Sequence, residues 1–130
     1  MTLLLLDTHA LLWTLVEPAR IPEPALTRIR DPRTELLVSA ASAWEIATKH
    51  RLGQLDQATA VLTGYHAHLD RLGARELPIS GQHALSAGSL PWEHRDPFDR
   101  MIVAQAMAES LPVVTADRAL AAFPGVRTVW

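Results

Sequence analysis

Four carboxylates from distant parts of the chain stand where a parallel sheet would gather them. Asp7 follows the apolar run 3–6, Asp117 follows residues 113–115, Glu45 lies a few residues beyond the apolar run 36–38, and Asp99 stands in the opening turn of an alanine-rich stretch. Brought together, such groups repel: at an effective dielectric of ~20, one pair about 4 Å apart costs ~4 kcal/mol, and four carboxylates make several pairs. Protonation of one or two of them relieves this, and so does a cation. The set offers oxygen donors and the chain has no cysteine, so the fitting cation is a hard divalent one, magnesium or manganese. Such an ion lowers the pKa of a bound water and clamps a phosphodiester oxygen; a second ion steadies both the attacking and the leaving oxygen. Asp7, Glu45, Asp99 and Asp117 therefore point to metal-assisted chemistry on a phosphate ester.

Each acid also has an ordinary structural use. Asp7 and Asp117 could N-cap the helices that follow them, and Glu45 could pair with Lys49 one helical turn on. In Asp96-Pro97-Phe98-Asp99, Asp96 suits the N-cap, Pro97 the first helical position, and Asp99 the positive end of the helix dipole. Capping occupies Asp96 and leaves Asp99 as the principal ligand, with Asp96 assisting through water or orientation.

The elements that must position these residues read as alternating strands and helices. Residues 3–6 suit a strand covered on both faces, and 8–16 an apolar helix closed before Pro18. A second helix spans 22–30, with Pro22 and Pro24 in its first turn and Asp31-Pro32 ending it. After the strand 36–38 come a helix over 42–52, stopped by Gly53, and a helical stretch over about 56–72 before Gly73. Residues 75–79 return as a strand, 80–90 as a helix ending at Pro91, and 92–97 as a polar loop. The clearest helix runs from Asp96 to about Ser110, followed by a strand at 113–115, a short helix over 117–122 and a last strand at 126–130. The alternation predicts one α/β domain over 1–130, its central, mostly parallel sheet covered by helices on both faces. In such sheets ligands sit beyond the carboxyl ends of the strands, and Glu45, early in its helix, could lean back toward that edge.

Composition excludes several other classes. With 130 residues and 48% hydrophobic content, the chain can bury a core without staples, and the lack of cysteine rules out disulfides and a thiolate zinc site. The run 3–6 has no basic flank and is stopped by Asp7, unlike a secretion signal, and no apolar stretch reaches the ~20 residues of a membrane span. A soluble, cytoplasmic protein is expected. The net charge of −2, with eleven arginines and one lysine, advertises no basic stripe for nucleic acid. The histidines are scattered, and the close pair His66 and His68 points apart on a helix, so a histidine metal site is not expected.

Taken in order, the strand followed by Asp7-Thr8-His9, the segment Ser39-Ala-Ala-Ser42-Ala-Trp-Glu45-Ile46, the stretch Asp96-Pro-Phe-Asp99-Arg-Met-Ile-Val-Ala-Gln-Ala106 and Thr115-Ala-Asp117 resemble a PIN domain of the VapC toxin class. The resemblance spans essentially the whole chain. It implies a three-layer α/β/α fold, magnesium- or manganese-dependent endoribonuclease activity, and a cognate antitoxin that inserts a segment near the acids. Asp7, Glu45, Asp99 and Asp117 match the family's acidic quartet, while Thr115 and Ser39 match small polar positions beside it. Arg95, Arg100, Arg118 and His94 lie next to the acids in sequence and are candidates for gripping RNA phosphates. Low basicity is tolerable if the substrate is a structured RNA met at a short single-stranded loop. Leu11, Leu12, Trp13, Leu15 and Val16 crowd the first helix and could exceed one buried stripe, offering a homodimer or antitoxin face.

Rival metal-dependent folds fit less well. A receiver-like phosphoacceptor domain wants paired acids after the first strand and a lysine after the last, but Asp7 has no acidic neighbour and Lys49 is the sole lysine. A haloacid-dehalogenase phosphatase wants a second aspartate where His9 stands. A PIN-fold module that binds RNA or protein without cutting is the remaining alternative; all four acids are present, and saturable metal stabilisation separates the two.

Overall fold

The apolar run near the start of the chain becomes β1 (Thr2–Leu6), the middle strand of a five-stranded sheet in the computed structural model, which describes residues 2–130. Leu4 and Leu6 enter one core and Leu5 the other, and all three are fully buried. A strand covered on both faces needs this unbroken apolar sequence. β2 (Thr34–Ser39) repeats the pattern, with Leu36 and Val38 on the first side and Leu37 on the second; β4 (Val113–Val114) divides its two valines the same way.

The first side is covered by α1 (Thr8–Val16), α2 (Glu23–Arg30), α3 (Ala40–Arg51), α4 (Ala58–Leu62) and α5 (Tyr65–Leu72), which contribute Leu11, Leu12, Leu26, Ile46, Val61 and Leu69. The second side is covered by α7 (Pro97–Glu109) and α8 (Arg118–Ala122) through Ile102, Val103, Ala106 and Leu120, with α6 (Gly81–Ser89) packed on α7. The result is the expected three-layer α/β/α arrangement.

The strand order is β3-β2-β1-β4-β5, with β3 at Ala74–Leu77, β5 at Thr128–Val129 and every pairing parallel. From β1 the chain builds outward through β2 and β3, then returns past β1 to add β4 and β5. The direction of winding therefore reverses between β1 and β4, the place where an open parallel sheet leaves a crevice at its carboxyl edge. Asp7 follows one of these strands and Thr115 the other.

Some element boundaries differ from the sequence-based expectation. The helical stretch over 56–72 is two helices, because Gly64 adopts a left-handed conformation, φ +71°, and caps α5. α3 begins at Ala40 rather than 42, since Ser39 is its N-cap and the Ser39 hydroxyl accepts from the Ala41 amide at 3.0 Å. Ser42 instead shares a buried hydroxyl–hydroxyl contact of 3.0 Å with Thr8, tying α3 to α1. β3 stops before Pro78 and β5 is shorter than residues 126–130. The crowded face of α1 is mostly core: Leu11 and Leu12 are buried, Trp13 and Leu15 pack against the same cluster, and Val16 is exposed.

Candidate active site

A cleft of about 430 Å³ opens at the carboxyl edge of the sheet, lined by Asp7, Thr8, His9, Trp13, Glu45, Lys49, Asp96, Asp99, Ala116 and Asp117. The four sequence-selected acids all reach it, and Asp96 joins them.

Each acid arrives by a different local device. Asp7 N-caps α1, its Oδ1 accepting from the Ala10 amide at 2.8 Å, and its own amide donates to the Val114 carbonyl at 3.1 Å, fixing it between β1 and β4. Asp117 N-caps α8 through a 2.8 Å bond from the Ala119 amide, and its own amide donates to the buried Thr115 hydroxyl at 3.0 Å. Asp96 caps α7, with Oδ1 accepting from the amides of Phe98 and Asp99 at 2.8 and 3.1 Å. Capping thus leaves these side chains lining the cleft. Glu45 lies in the second turn of α3, not the first, a consequence of the earlier helix start; it is 3% exposed and still reaches the cleft.

Asp99 accepts from or donates to His94 at 2.7 Å, and ligand atoms of His94, Asp99 and Asp117 all lie within 4.8 Å of one another. The scatter of histidines along the sequence concealed this grouping, because the loop before α7 folds His94 back onto a residue five positions later. His94 is also stacked on Trp92, with ring centroids 4.6 Å apart.

The electrostatics reflect the crowding. Burial pushes the Asp7 carboxyl up from the ordinary 3.8 to about 6, against the relief given by the Thr115 hydroxyl and the Ala10 amide, with the charges of Glu45 and Asp117 adding to the rise. Burial likewise lifts Asp99 to about 6, opposed by its bond to His94 and reinforced by Asp96 and Glu45. Lys49 is bonded to Glu45 Oε2; burial works to lower its pKa, but Glu45, with Asp96 and Asp99 behind it, holds it above the ordinary value. The other Glu45 oxygen, Oε1, is buried with no partner. A buried carboxylate oxygen without a donor is costly, and two neighbouring carboxyls held above their ordinary range are short of positive charge. A hard divalent cation answers both, so the residues present fit one.

A pH dependence follows. Asp7 and Asp99 bind protons more tightly in the folded chain than in the unfolded one, so their contribution to stability is full below about 3.8 and is lost as pH rises through about 6. Metal-free protein is expected to gain about 1 kcal/mol per group between about pH 7 and about pH 5. Thermal melts in chelator across that range check this, and manganese added near neutral pH is expected to restore the loss. A melting temperature that falls steadily with acid and ignores manganese would contradict it.

The remaining residues singled out from the sequence are placed less centrally. Arg95 and Arg118 are exposed and do not line the cleft. Arg100 does not line the cleft: its guanidinium donates to the carbonyls of Ala87, Leu90, Trp92 and His94 at 2.7 to 3.0 Å and fixes the loop that carries His94. Ser39 is fully buried, and beyond capping α3 its hydroxyl donates to Gln105, so it supports α3 from beneath. Sequence reasoning missed His9 and Trp13 as cleft residues; their i,i+4 spacing from the strand end was the available signal.

The PIN domain family model matches residues 4–126. The chain belongs to the PIN domain family. This PIN domain is 33% identical over 133 residues to Ribonuclease VapC22 of Mycobacterium tuberculosis, a match that covers 100% of both chains. Among solved structures it is similar to a chain of VapBC2 from Rickettsia felis bound to a DNA fragment from their promoter, with TM-score 0.71 and 14% identity over 98% of each chain. It is also similar to a chain of DNA-bound VapBC from Salmonella typhimurium, with TM-score 0.69 and 23% identity over 99% of this chain and 98% of that one. At such identities the structural likeness is one of fold, and the PIN-like α/β fold expected from the sequence is the one observed.

Proposed function

We propose that this PIN domain is an endoribonuclease of the VapC toxin class, working in the cytoplasm and held in check by a cognate antitoxin. The observation that carries the reading is the convergence of Asp7, Glu45, Asp99 and Asp117, from four separate segments, on one cleft at the sheet's switch point. The 33% identity to a ribonuclease along the whole chain supports the reaction, and the likeness to chains of VapBC complexes supports the partner.

The four acids are the residues that would hold magnesium or manganese, with Asp96 assisting. The cation, when bound, supplies an acidified water and positive charge against the phosphodiester. The chain's own residues do the positioning. The Ala10 amide of α1 orients Asp7, the Thr115 hydroxyl holds the Asp117 amide, His94 orients Asp99, and Arg100 fixes the loop that presents His94. No side-chain nucleophile is required, because water attacks phosphorus as the P–O bond to the leaving ribose oxygen breaks. Outside the cleft, exposed Arg95 and Arg118 are the candidates to meet flanking phosphates, and His9 with Trp13 gives the wall an aromatic face on which an unpaired base can stack. No helix among the described residues is long and apolar enough to cross a membrane. A homodimer or a toxin–antitoxin hetero-oligomer is the assembly this reading expects.

Induction of the wild type and of Asp7→Asn in cells, followed by mapping of RNA 5′ ends, tests the proposal. New ends at a small set of sites with the wild type alone, suppressed by co-expression of the antitoxin, are expected. An unchanged map with accumulated, folded wild-type protein overturns it, and would favour a silent RNA- or protein-binding module.

A further inference from the structure

Resting on the ribonuclease reading, we propose that Lys49 is the phosphate-facing cation of the cleft, holding Glu45 while the metal is absent and turning to the scissile phosphodiester once the metal takes Glu45.

Among the described residues that line the cleft, Lys49 is the one ammonium or guanidinium group, set against five carboxylates. The arginines nearest the acids in sequence do not compete for the role, since Arg95 and Arg118 do not line the cleft and Arg100 is consumed by main-chain carbonyls. An anionic backbone entering an acidic cleft gains from a positive side chain at the point of contact beside any bound cation, and among the described residues that line the cleft Lys49 is the one placed to supply it.

The pairing with Glu45 is not an ordinary surface bridge. Its spacing is the i,i+4 of an exposed helix pair, yet the Glu45 side chain is 4% and the Lys49 side chain 26% exposed. Glu45 Oε1 remains without a partner although Oε2 is bonded, so the pair is half satisfied. Removing one partner of such a pair strands the other's charge, so Glu45 must always hold a cation, and with one oxygen unsatisfied it is competent to exchange Lys49 for another. Were Glu45 to hold a cation in place of Lys49, the ammonium would lose its acceptor. Its flexible four-carbon stem leaves it free to swing while α3 stays fixed by the Ser39 cap, and a phosphate oxygen is the acceptor then at hand.

Lys49→Met, Lys49→Arg and the wild type, each freed of its partner, decide the matter by two measurements: calorimetric titration with manganese alone, and cleavage of total cellular RNA at saturating manganese. The proposal expects Lys49→Met to bind manganese several-fold more tightly, having lost the competing ammonium, and to cleave about ten- to a hundredfold more slowly. It expects Lys49→Arg to recover most of the cleavage. A lysine that only braces α3 would lower the melting temperature of both variants, with no gain in manganese affinity and no rescue by arginine. Wild-type cleavage by Lys49→Met at saturating manganese overturns the proposal. If the wild type itself cuts no RNA, the ribonuclease reading fails; the manganese titration still judges Lys49, and equal affinities for wild type and Lys49→Met overturn its exchange with the metal. If Lys49→Met does not fold, Lys49→Gln takes its place in both measurements.

Discussion

Asp99→Asn is expected to lower RNA cleavage by on the order of 10²–10³-fold, the scale of losing one preorganised contact at a reacting centre. The isosteric amide keeps the shape of the first turn of α7, so the loss is one of charge. It also removes a carboxyl whose charged form is disfavoured by burial and by the neighbouring charges of Asp96 and Glu45. The metal-free variant should therefore melt no lower than the wild type near neutral pH, while manganese should stabilise it much less. Asp96 is the control for this position. Its Oδ1 caps two amides, a task asparagine performs as well as aspartate, so Asp96→Asn should fold normally and lose less activity than Asp99→Asn. Asp96→Ala should lose about 1 kcal/mol of stability with the cap. Parallel assays of cleavage and thermal unfolding separate the two aspartates, and equal losses in Asp96→Asn and Asp99→Asn would make them joint ligands.

Arg100→Ala is expected to be the most damaging change outside the acids. Its guanidinium gathers the carbonyls of Ala87, Leu90, Trp92 and His94, all within 3.0 Å, so its removal strands several carbonyls in a half-buried turn. Bonds to a charged donor are worth about 1.5–3 kcal/mol each, and since the variant's carbonyls can recover some water, a net loss of about 2–4 kcal/mol is expected. Activity should fall further than stability explains, because the freed loop no longer presents His94 to Asp99. Lysine should rescue poorly, since a point charge cannot span carbonyls set around a planar fork. Denaturant unfolding and kcat measured well below the melting temperature test both halves.

Much of this fold can be read from residues 3–6, 36–38 and 113–114, whose short unbroken apolar sequences suit strands covered on both faces, as Leu4 to Leu6, Leu36 to Val38 and the two valines are. The acids that cap helices at strand ends, Asp7 and Asp117, are legible for the same reason: a cap fixes a side chain at the edge where the cleft lies. Residues whose role depends on folding back are not. His94 reaches Asp99 because a loop reverses, and Arg100 serves that loop although its position beside Asp99 suggests substrate contact. Lys49 shows the converse. Its spacing from Glu45 is that of a trivial surface pair, and only the burial of α3 against the sheet edge turns it into a residue of the cleft. Gly64 splits a helix that periodicity alone would carry through.

The central claim is that the acidic cleft holds a divalent cation for RNA hydrolysis. Purified wild-type protein freed of its partner, incubated with total cellular RNA in manganese, in magnesium and in chelator beside Asp7→Asn and Asp99→Asn, tests it most directly when the new 5′ ends are mapped. The account predicts discrete new ends with either metal and the wild type, none in chelator, and the same ends reduced at least about a hundredfold with either variant. Identical ends in chelator, or undiminished cleavage by both asparagine variants, would contradict it.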